Sequence, residues 1–132
     1  MRFLHWGLTL KGYCVIKAIR GTRDILPGEV EKWQYVESVA RDMFHLCGYR
    51  EIRTPIIEET GLFIRSIGEA TDIVQKEMYS FTDRGERQIS LRPEGTAPVL
   101  RAYLENGLDR LAGFSKFYYI GPMFRSEKPQ AG

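Results

Sequence analysis

The stretch from Lys116 to Gly132, KFYYIGPMFRSEKPQAG, constrains the fold of this chain more than any other. Its aromatic and apolar start, residues 117–120, is typical of a buried strand. Arg125 and Glu127 follow two residues apart, so their side chains share one face of an extended strand. A planar guanidinium there can bind a phosphate or carboxylate through two hydrogen bonds. The alternative is a surface ion pair, worth under about 1 kcal/mol.

Composition is ordinary for a globular domain and sets limits on partners. The 132 residues suffice for one modest domain, and Lys and Arg number 19 against 17 Asp and Glu. A net charge of +2 does not predict nucleic-acid binding by itself. Cys14 and Cys47 have no metal-ligand spacing, so no metal site is predicted, and Cys47 is expected to be a small buried residue. Apolar runs stay well short of the roughly 20 residues of a membrane span, so we expect no membrane partner.

Residues 1–17 differ from the rest of the chain, because the first acidic residue is Asp24. A basic, acid-poor N-terminus can be an organelle transit segment. An upstream extension is the interpretation that we favour, and we expect it to be poorly ordered. The predicted location is therefore the cytoplasm, with an organelle as the alternative.

A long helix is predicted from Glu29 to Cys47, with Gly48 as its terminator. One apolar stripe on this helix consists of Trp33, Val36, Ala40, Met43 and Cys47. A second stripe consists of Tyr35, Val39 and Leu46. Two stripes indicate that the helix packs on two surfaces, its own domain and a partner subunit. The alternative is that both stripes pack into a single core of the same domain.

The segment 49–58 reads as a strand that contains Pro55, which marks an edge, a bulge or a strand end because proline cannot donate to a ladder. Short helices are predicted at 59–67 and 70–78. Two strand-like runs, 79–82 and 88–91, flank turn residues and predict an antiparallel hairpin.

The stretch Arg92-Pro93-Glu94-Gly95-Thr96 leaves the hairpin and enters a helix. Thr96 is predicted to cap this helix, and Pro98 suits its first turn. A turn at the end of a strand places Glu94 where a ligand can reach it. The alternative is a solvated glutamate at the helix entry.

Helices and hairpin strands without regular βαβ alternation predict an α+β fold with an antiparallel sheet flanked by helices. Neither a P-loop nor a GxGxxG pattern is present, which excludes the commonest sequence marks of Walker and Rossmann nucleotide sites.

Three of these stretches resemble the histidyl-tRNA synthetases of bacterial type, which are class II aminoacyl-tRNA synthetases. Residues 29–58 resemble motif 1, the segment 92–96 resembles the histidine-pocket sequence RPEGT, and residues 116–132 resemble an incomplete motif 2. The sequence AIRGTRDILP at 18–27 resembles the start of the family's catalytic domain. The resemblance covers residues 18–132 and implies the N-terminal part of that domain.

The resemblance implies a reaction in which histidine and ATP, accompanied by Mg²⁺, form an adenylate that then passes histidine to its tRNA. Arg125 would be catalytic and would bridge the histidine carboxylate and the α-phosphate, and Glu127 would contact ATP. The implied histidine-binding residues are Glu94, Gly95, Thr96 and Arg125. The implied homodimer interface includes Trp33, Val36, Ala40 and Pro55. No permanently bound cofactor is implied.

The chain stops inside the motif 2 loop, so the family's second catalytic arginine, motif 3 and anticodon-binding domain are not in it. We therefore expect the 132-residue chain to be inactive alone. Two alternatives are a synthetase-like regulatory paralogue of histidine biosynthesis and a non-catalytic dimerisation fragment. Arg125, Glu127 and the complete RPEGT segment argue against the regulator, because a regulator need not keep groups that contact ATP.

Overall fold

The computed structural model describes residues 16–67, 77–110 and 115–126. The elements in chain order are α1 (Val30–Leu46), β1 (Arg50–Glu51), β2 (Ile57–Glu59), α2 (Thr60–Ile67), β3 (Ser80–Thr82), β4 (Gln88–Leu91), α3 (Thr96–Glu105) and β5 (Phe117–Tyr118). A short 3-10 turn, Leu108–Arg110, follows α3. This mixture of helices and strands confirms the predicted α+β class.

Strands β2, β4 and β3 form an antiparallel sheet in that order. The predicted hairpin is confirmed, since Phe81 lies opposite Ile89 in the β3–β4 pair. Its turn forms because the Asp83 carboxylate accepts hydrogen bonds from the backbone N–H groups of Gly85 and Arg87. Strand β4 is central and leads directly into the RPEGT segment, so the sheet holds one end of that segment.

Strands β1 and β5 form a separate parallel pair, with Arg50 opposite Phe117. The predicted antiparallel sheet is therefore confirmed in β2-β4-β3, and the parallel β1–β5 pair is an addition that the sequence did not predict. A parallel pair needs a long crossover connection, and the chain between β1 and β5 contains helices α2 and α3 and the hairpin.

The segment 49–58 is not one continuous strand, because β1 ends at Glu51 and β2 begins at Ile57. Pro55 is exposed and lies between the two strands, in neither of them. The carbonyl of Ile56 accepts a hydrogen bond from the backbone N–H of Arg92 over 2.9 Å. The chain after Pro55 therefore joins the sheet beside the RPEGT segment.

Helix α1 confirms the predicted long helix, and Gly48 follows it with φ of 75°. Its packed face differs from both predicted stripes. The ring of Phe44 stacks on Tyr118 with centroids 4.4 Å apart, and Arg41 pairs with Glu51 over 2.5 Å. The apolar side chains left exposed on α1 are Trp33, Tyr35, Val36, Val39, Met43 and Leu46. Cys47 is also exposed, so its predicted burial is wrong, because it lies at the helix end rather than on the face that packs on β5.

The described core is small: one part lies where α2, α3 and β4 meet, and Tyr118 of β5 is buried separately beneath α1. Phe63 of α2 is fully buried, and Ala97 at the start of α3 is 5% exposed. The buried Ser90 hydroxyl of β4 lies 2.8 Å from Thr60 Oγ1 and 2.7 Å from Ser80 Oγ, which links α2 to the central strand β4 and the outer strand β3. This packing holds the N-terminal end of α3, and the RPEGT turn leads into that end.

Several predictions fall on residues that the structure does not describe. The extension is described only at residues 16 and 17, most of the predicted helix 70–78 lies outside the described residues, and so does Glu127. Within the described ranges, no helix combines the length and apolarity needed to cross a membrane.

Candidate functional site

The RPEGT turn connects β4, which ends at Leu91, to α3, which begins at Thr96. The two carboxylate oxygens of Glu94 accept hydrogen bonds from the backbone N–H groups of Thr96 and Ala97, the second over 3.0 Å. Glu94 therefore caps α3. The predicted cap Thr96 is wrong, because Thr96 already lies inside the first turn and Gly95 occupies the N-cap position.

The capping contacts also hold Glu94 in one place. Each of its oxygens has a second lone pair, so the two backbone contacts leave acceptor capacity for a ligand. Glu94 is half-buried and Thr96 is exposed. The turn can therefore present a fixed carboxylate and a hydroxyl to a ligand that carries an ammonium group.

Arg125 lies against this same turn. Its Nε donates a hydrogen bond to the carbonyl oxygen of Pro93 over 3.0 Å. Pro93 precedes Glu94, so the structure brings together two residues that are 31 positions apart in the sequence. A guanidinium and a carboxylate held by one turn can bind the two charged ends of an amino acid.

Gly95 has a packing role that its sequence prediction did not include. It is buried, and a Cβ atom there would overlap the ring of Tyr119. The chain after β5 therefore lies close against the turn only because residue 95 has no side chain. Gly95 shapes the site through its backbone.

Arg92 is a site residue that sequence reasoning missed. Its side chain is buried, with the residue 6% exposed, and Nε donates to the carbonyl of Pro122 over 3.0 Å. Nη1 donates to the carbonyl and the hydroxyl of Thr54, both over 3.2 Å. The only sequence signal for this role was the position of Arg92 in RPEGT. Arginine is almost never buried without partners, and a sequence does not show which residues those partners are.

The backbone of the same region forms a second set of connections. The N–H of Phe124 donates to the carbonyl of Arg92 over 3.0 Å, and the N–H of Ser126 donates to the carbonyl of Glu77 over 2.8 Å. The segment 122–126 is therefore attached along its length, and Arg125 lies between two of these attachments.

The predicted interface residues lie apart from this turn. Trp33 and Val36 are about half exposed on α1, at 47% and 58%, and Pro55 is exposed after β1. Ala40 is half-buried and shares a helix face with Phe44, which packs on Tyr118 of the same chain. Among residues 16–67, 77–110 and 115–126, no three His, Cys, Asp or Glu side chains could together hold a metal ion.

Comparison with known proteins agrees with these features. The family model for histidyl-tRNA synthetase matches residues 21–132. The histidine–tRNA ligase of Synechocystis sp. is 62% identical over 117 residues, which are 89% of this chain and 26% of that protein. The chain thus spans about a quarter of the length of this curated relative.

Two solved structures have the same arrangement of elements. Apo histidyl-tRNA synthetase from S. aureus matches with a TM-score of 0.73 and 46% identity over 84% of this chain and 26% of that one. A Bacillus halodurans protein described as an ATP phosphoribosyltransferase regulatory subunit/histidyl-tRNA synthetase matches with a TM-score of 0.72 over 88% of this chain and 29% of that one. At 23% identity the second match shows the fold alone. The fold is that of a class II synthetase catalytic domain, and the chain belongs to the histidyl-tRNA synthetase family.

Proposed function

We propose that this chain forms one side of the active site of a histidine–tRNA ligase. The observation that carries the proposal is the contact between Arg125 and the RPEGT turn, in which Nε of Arg125 binds the carbonyl of Pro93. This contact holds Arg125 against the residue that precedes Glu94, and it supports the assignment of Arg125 to the reacting anions and of Glu94 to the histidine ammonium group. Membership of the family supports the choice of histidine as the amino acid.

On this proposal Glu94 and Thr96 bind histidine. The carboxylate of Glu94 accepts from the α-ammonium group, and the exposed hydroxyl of Thr96 offers a further polar contact. Because Glu94 is held by two backbone N–H groups, it needs little rearrangement when histidine binds. Gly95 contributes by letting Tyr119 close over the turn.

Arg125 acts on the reacting groups. The first step of the reaction is attack of the histidine carboxylate on the α-phosphate of ATP, so two anions must approach each other. A guanidinium can hold an oxygen of each anion and reduce their repulsion as the new P–O bond forms and pyrophosphate leaves. Glu127 belongs on the ATP side of the same motif. Mg²⁺ enters as the counter-ion of ATP and screens its phosphates. The adenylate then transfers histidine to its tRNA.

We further propose that α1 and the segment around Pro55 form a homodimer contact. The support is the set of apolar side chains that α1 leaves exposed, including Trp33 and Val36. Ala40 is a weaker member of this interface than the sequence indicated, because Phe44 on the same helix face packs on Tyr118 within the chain. The bacterial origin of the relatives supports the cytoplasm as the place of action.

The proposal is tested with a complete enzyme. In the Synechocystis relative, the segment that matches this chain is replaced by this chain's own residues, and we call this protein the chimera. We expect it to catalyse ATP–pyrophosphate exchange that depends on histidine and to charge a tRNA for histidine. Exchange that is equal with histidine and with other amino acids, or no exchange by a folded chimera, would contradict the proposal.

A further inference from the structure

We propose that Arg92 is a positioning residue that sets the placement of Arg125 relative to Glu94. This inference rests on the proposed function, because those two residues are assigned there to the reacting groups and to histidine. Arg92 itself is buried at 6% exposure and contacts neither substrate in this scheme. Its effect on the reaction passes through the chain segment that carries Arg125.

The side chain and the backbone of Arg92 hold the same segment at two points. Nε of Arg92 donates to the carbonyl of Pro122 over 3.0 Å, and its own carbonyl accepts from the N–H of Phe124 over 3.0 Å. Arg125 is the next residue, and its Nε returns to the carbonyl of Pro93. A shift of residues 122–124 would therefore move Arg125 directly.

A second nitrogen of the guanidinium, Nη1, contacts a different part of the fold. Nη1 donates to the carbonyl and the hydroxyl of Thr54 over 3.2 Å. The backbone N–H of Arg92 also donates to the carbonyl of Ile56 over 2.9 Å. Arg92, the first residue of the RPEGT turn, thus joins the chain on both sides of Pro55 to the motif 2 segment.

Gly121 shows how closely this guanidinium is packed. A Cβ atom at residue 121 would lie 2.5 Å from Nη2 of Arg92, a distance that forces one of the two groups to move. Glycine at residue 121 therefore lets the motif 2 segment lie close against the guanidinium in this arrangement, and a side chain there would displace one of the two.

The chemistry of the contact explains why arginine is present. The acceptors of the side chain within residues 16–67, 77–110 and 115–126 are uncharged oxygens, and no ion pair with a carboxylate of these residues offsets the burial of the cation. A planar guanidinium offers five donors in a rigid arrangement and can reach acceptors on two segments at once. A lysine offers one nitrogen and would leave one of the segments without its donor.

The test uses Arg92→Lys in the chimera, with Arg84→Lys in the exposed hairpin turn as the matched control. The readout is kcat for histidine-dependent adenylate formation per active site, counted by active-site titration. A displacement of Arg125 by about 1 Å predicts a fall in kcat of up to about a hundredfold, with a smaller change in the KM for ATP. Arg84→Lys should change neither. A kcat per active site equal to that of the wild type would overturn the proposal.

A double-mutant cycle separates positioning from general stability. If Arg92 acts through Arg125, Arg92→Lys should lower kcat by less than about twofold in an Arg125→Ala background, because the group it positions is gone. A role in folding alone would lower activity by the same factor in both backgrounds, and that outcome would contradict the proposal. Thr54→Val provides a milder variant, which removes one acceptor of Nη1 and keeps the backbone contact.

Amide hydrogen exchange tests the placement without any catalysis. Peptides that span residues 119–126 should exchange faster in Arg92→Lys than in the wild-type chimera, whereas the β3–β4 hairpin should be unchanged. Unchanged exchange in residues 119–126 would overturn this proposal. An inactive wild-type chimera would instead count against the proposed function, so the two failures are distinguishable.

Discussion

The Nε atom of Arg125 lies 3.0 Å from the carbonyl oxygen of Pro93 and donates a hydrogen bond to it. Together with the contacts of Arg92 to Pro122 and Phe124, this contact connects the motif 2 segment to the turn that carries Glu94. It also orients the guanidinium by one of its nitrogens, which is the kind of preorganisation that favours charge stabilisation in a transition state.

Arg125→Ala in the chimera is expected to lower kcat for histidine activation by about a hundredfold to a thousandfold, the usual effect of losing one preorganised charged donor. The measurement is histidine-dependent ATP–pyrophosphate exchange. Arg84→Ala, in the exposed hairpin turn, serves as the control and should retain full activity. Equal rates for the two variants would contradict the role assigned to Arg125.

Glu94→Ala is expected to raise the KM for histidine well before the KM for ATP. Loss of a charged hydrogen bond costs about 1.5–3 kcal/mol, which corresponds to roughly tenfold to a hundredfold in affinity. The same change removes the cap of α3, so a lower Tm should accompany it.

Glu94→Gln distinguishes these two effects. The amide keeps one oxygen that can accept from the helix N-terminus but loses the charge that binds the ammonium group. Its Tm should lie closer to that of the wild type, while the KM for histidine stays high. A rise of both substrates' KM by the same factor would contradict the assignment.

Val36→Glu on α1 is expected to give a monomeric or aggregated chimera, because it places a charge in the apolar surface that we assign to the dimer contact. Sedimentation velocity at micromolar concentration measures the result. Gln34→Glu, at an exposed position on a different face of the same helix, is the control for one added negative charge. A wild-type chimera that sediments as a monomer would refute the interface.

Glu51 should make stability depend on pH in the acidic range. The guanidinium of Arg53, followed by that of Arg41, holds the pKa of Glu51 below its ordinary value. Since the pKa is lower in the folded state, the stabilisation is present above the unfolded pKa and is lost as the pH falls through the folded one.

The difference in Tm between wild type and Glu51→Gln should therefore be largest near neutral pH and shrink below about pH 4. Glu86→Gln, at an exposed position of the hairpin turn, is the comparison and should show no such trend. A difference that grows on acidification would mean that the sign is wrong.

The 132-residue polypeptide by itself is expected not to activate histidine. It spans 26% of the length of the Synechocystis relative, so about three quarters of that protein has no counterpart in it. Exchange by the purified polypeptide, measured beside its Arg125→Ala variant, is the test. Activity that this substitution abolishes would show that one side of the site is sufficient.

Local sequence determined the secondary structure well. The spacing of apolar residues predicted a helix at 29–47, and the structure has it at Val30–Leu46. Turn residues between 82 and 88 predicted the hairpin, because Asp and Gly satisfy the turn with contacts inside the turn itself. These features depend on neighbours within a few residues, and a sequence displays such neighbours directly.

Which face of α1 packs was decided only by the tertiary structure. The apolar stripes at Trp33 and Tyr35 remain exposed, whereas Phe44 and Arg41 make the contacts with Tyr118 and Glu51. A helical pattern shows which residues share a face, but it does not show which face another element of the fold will cover.

The candidate site also combines residues that the sequence predicted with contacts that only the structure showed. Arg125 and Glu94 were predicted from their motifs, whereas the burial of Arg92 and the capping of α3 by Glu94 were not. Thr54 and Pro122, which accept from the Arg92 guanidinium, lie 38 and 30 residues from it. The sequence by itself determined the chemistry of the groups and their local elements. Only the tertiary structure decided which groups meet, because a polar side chain takes its role from partners that folding brings to it.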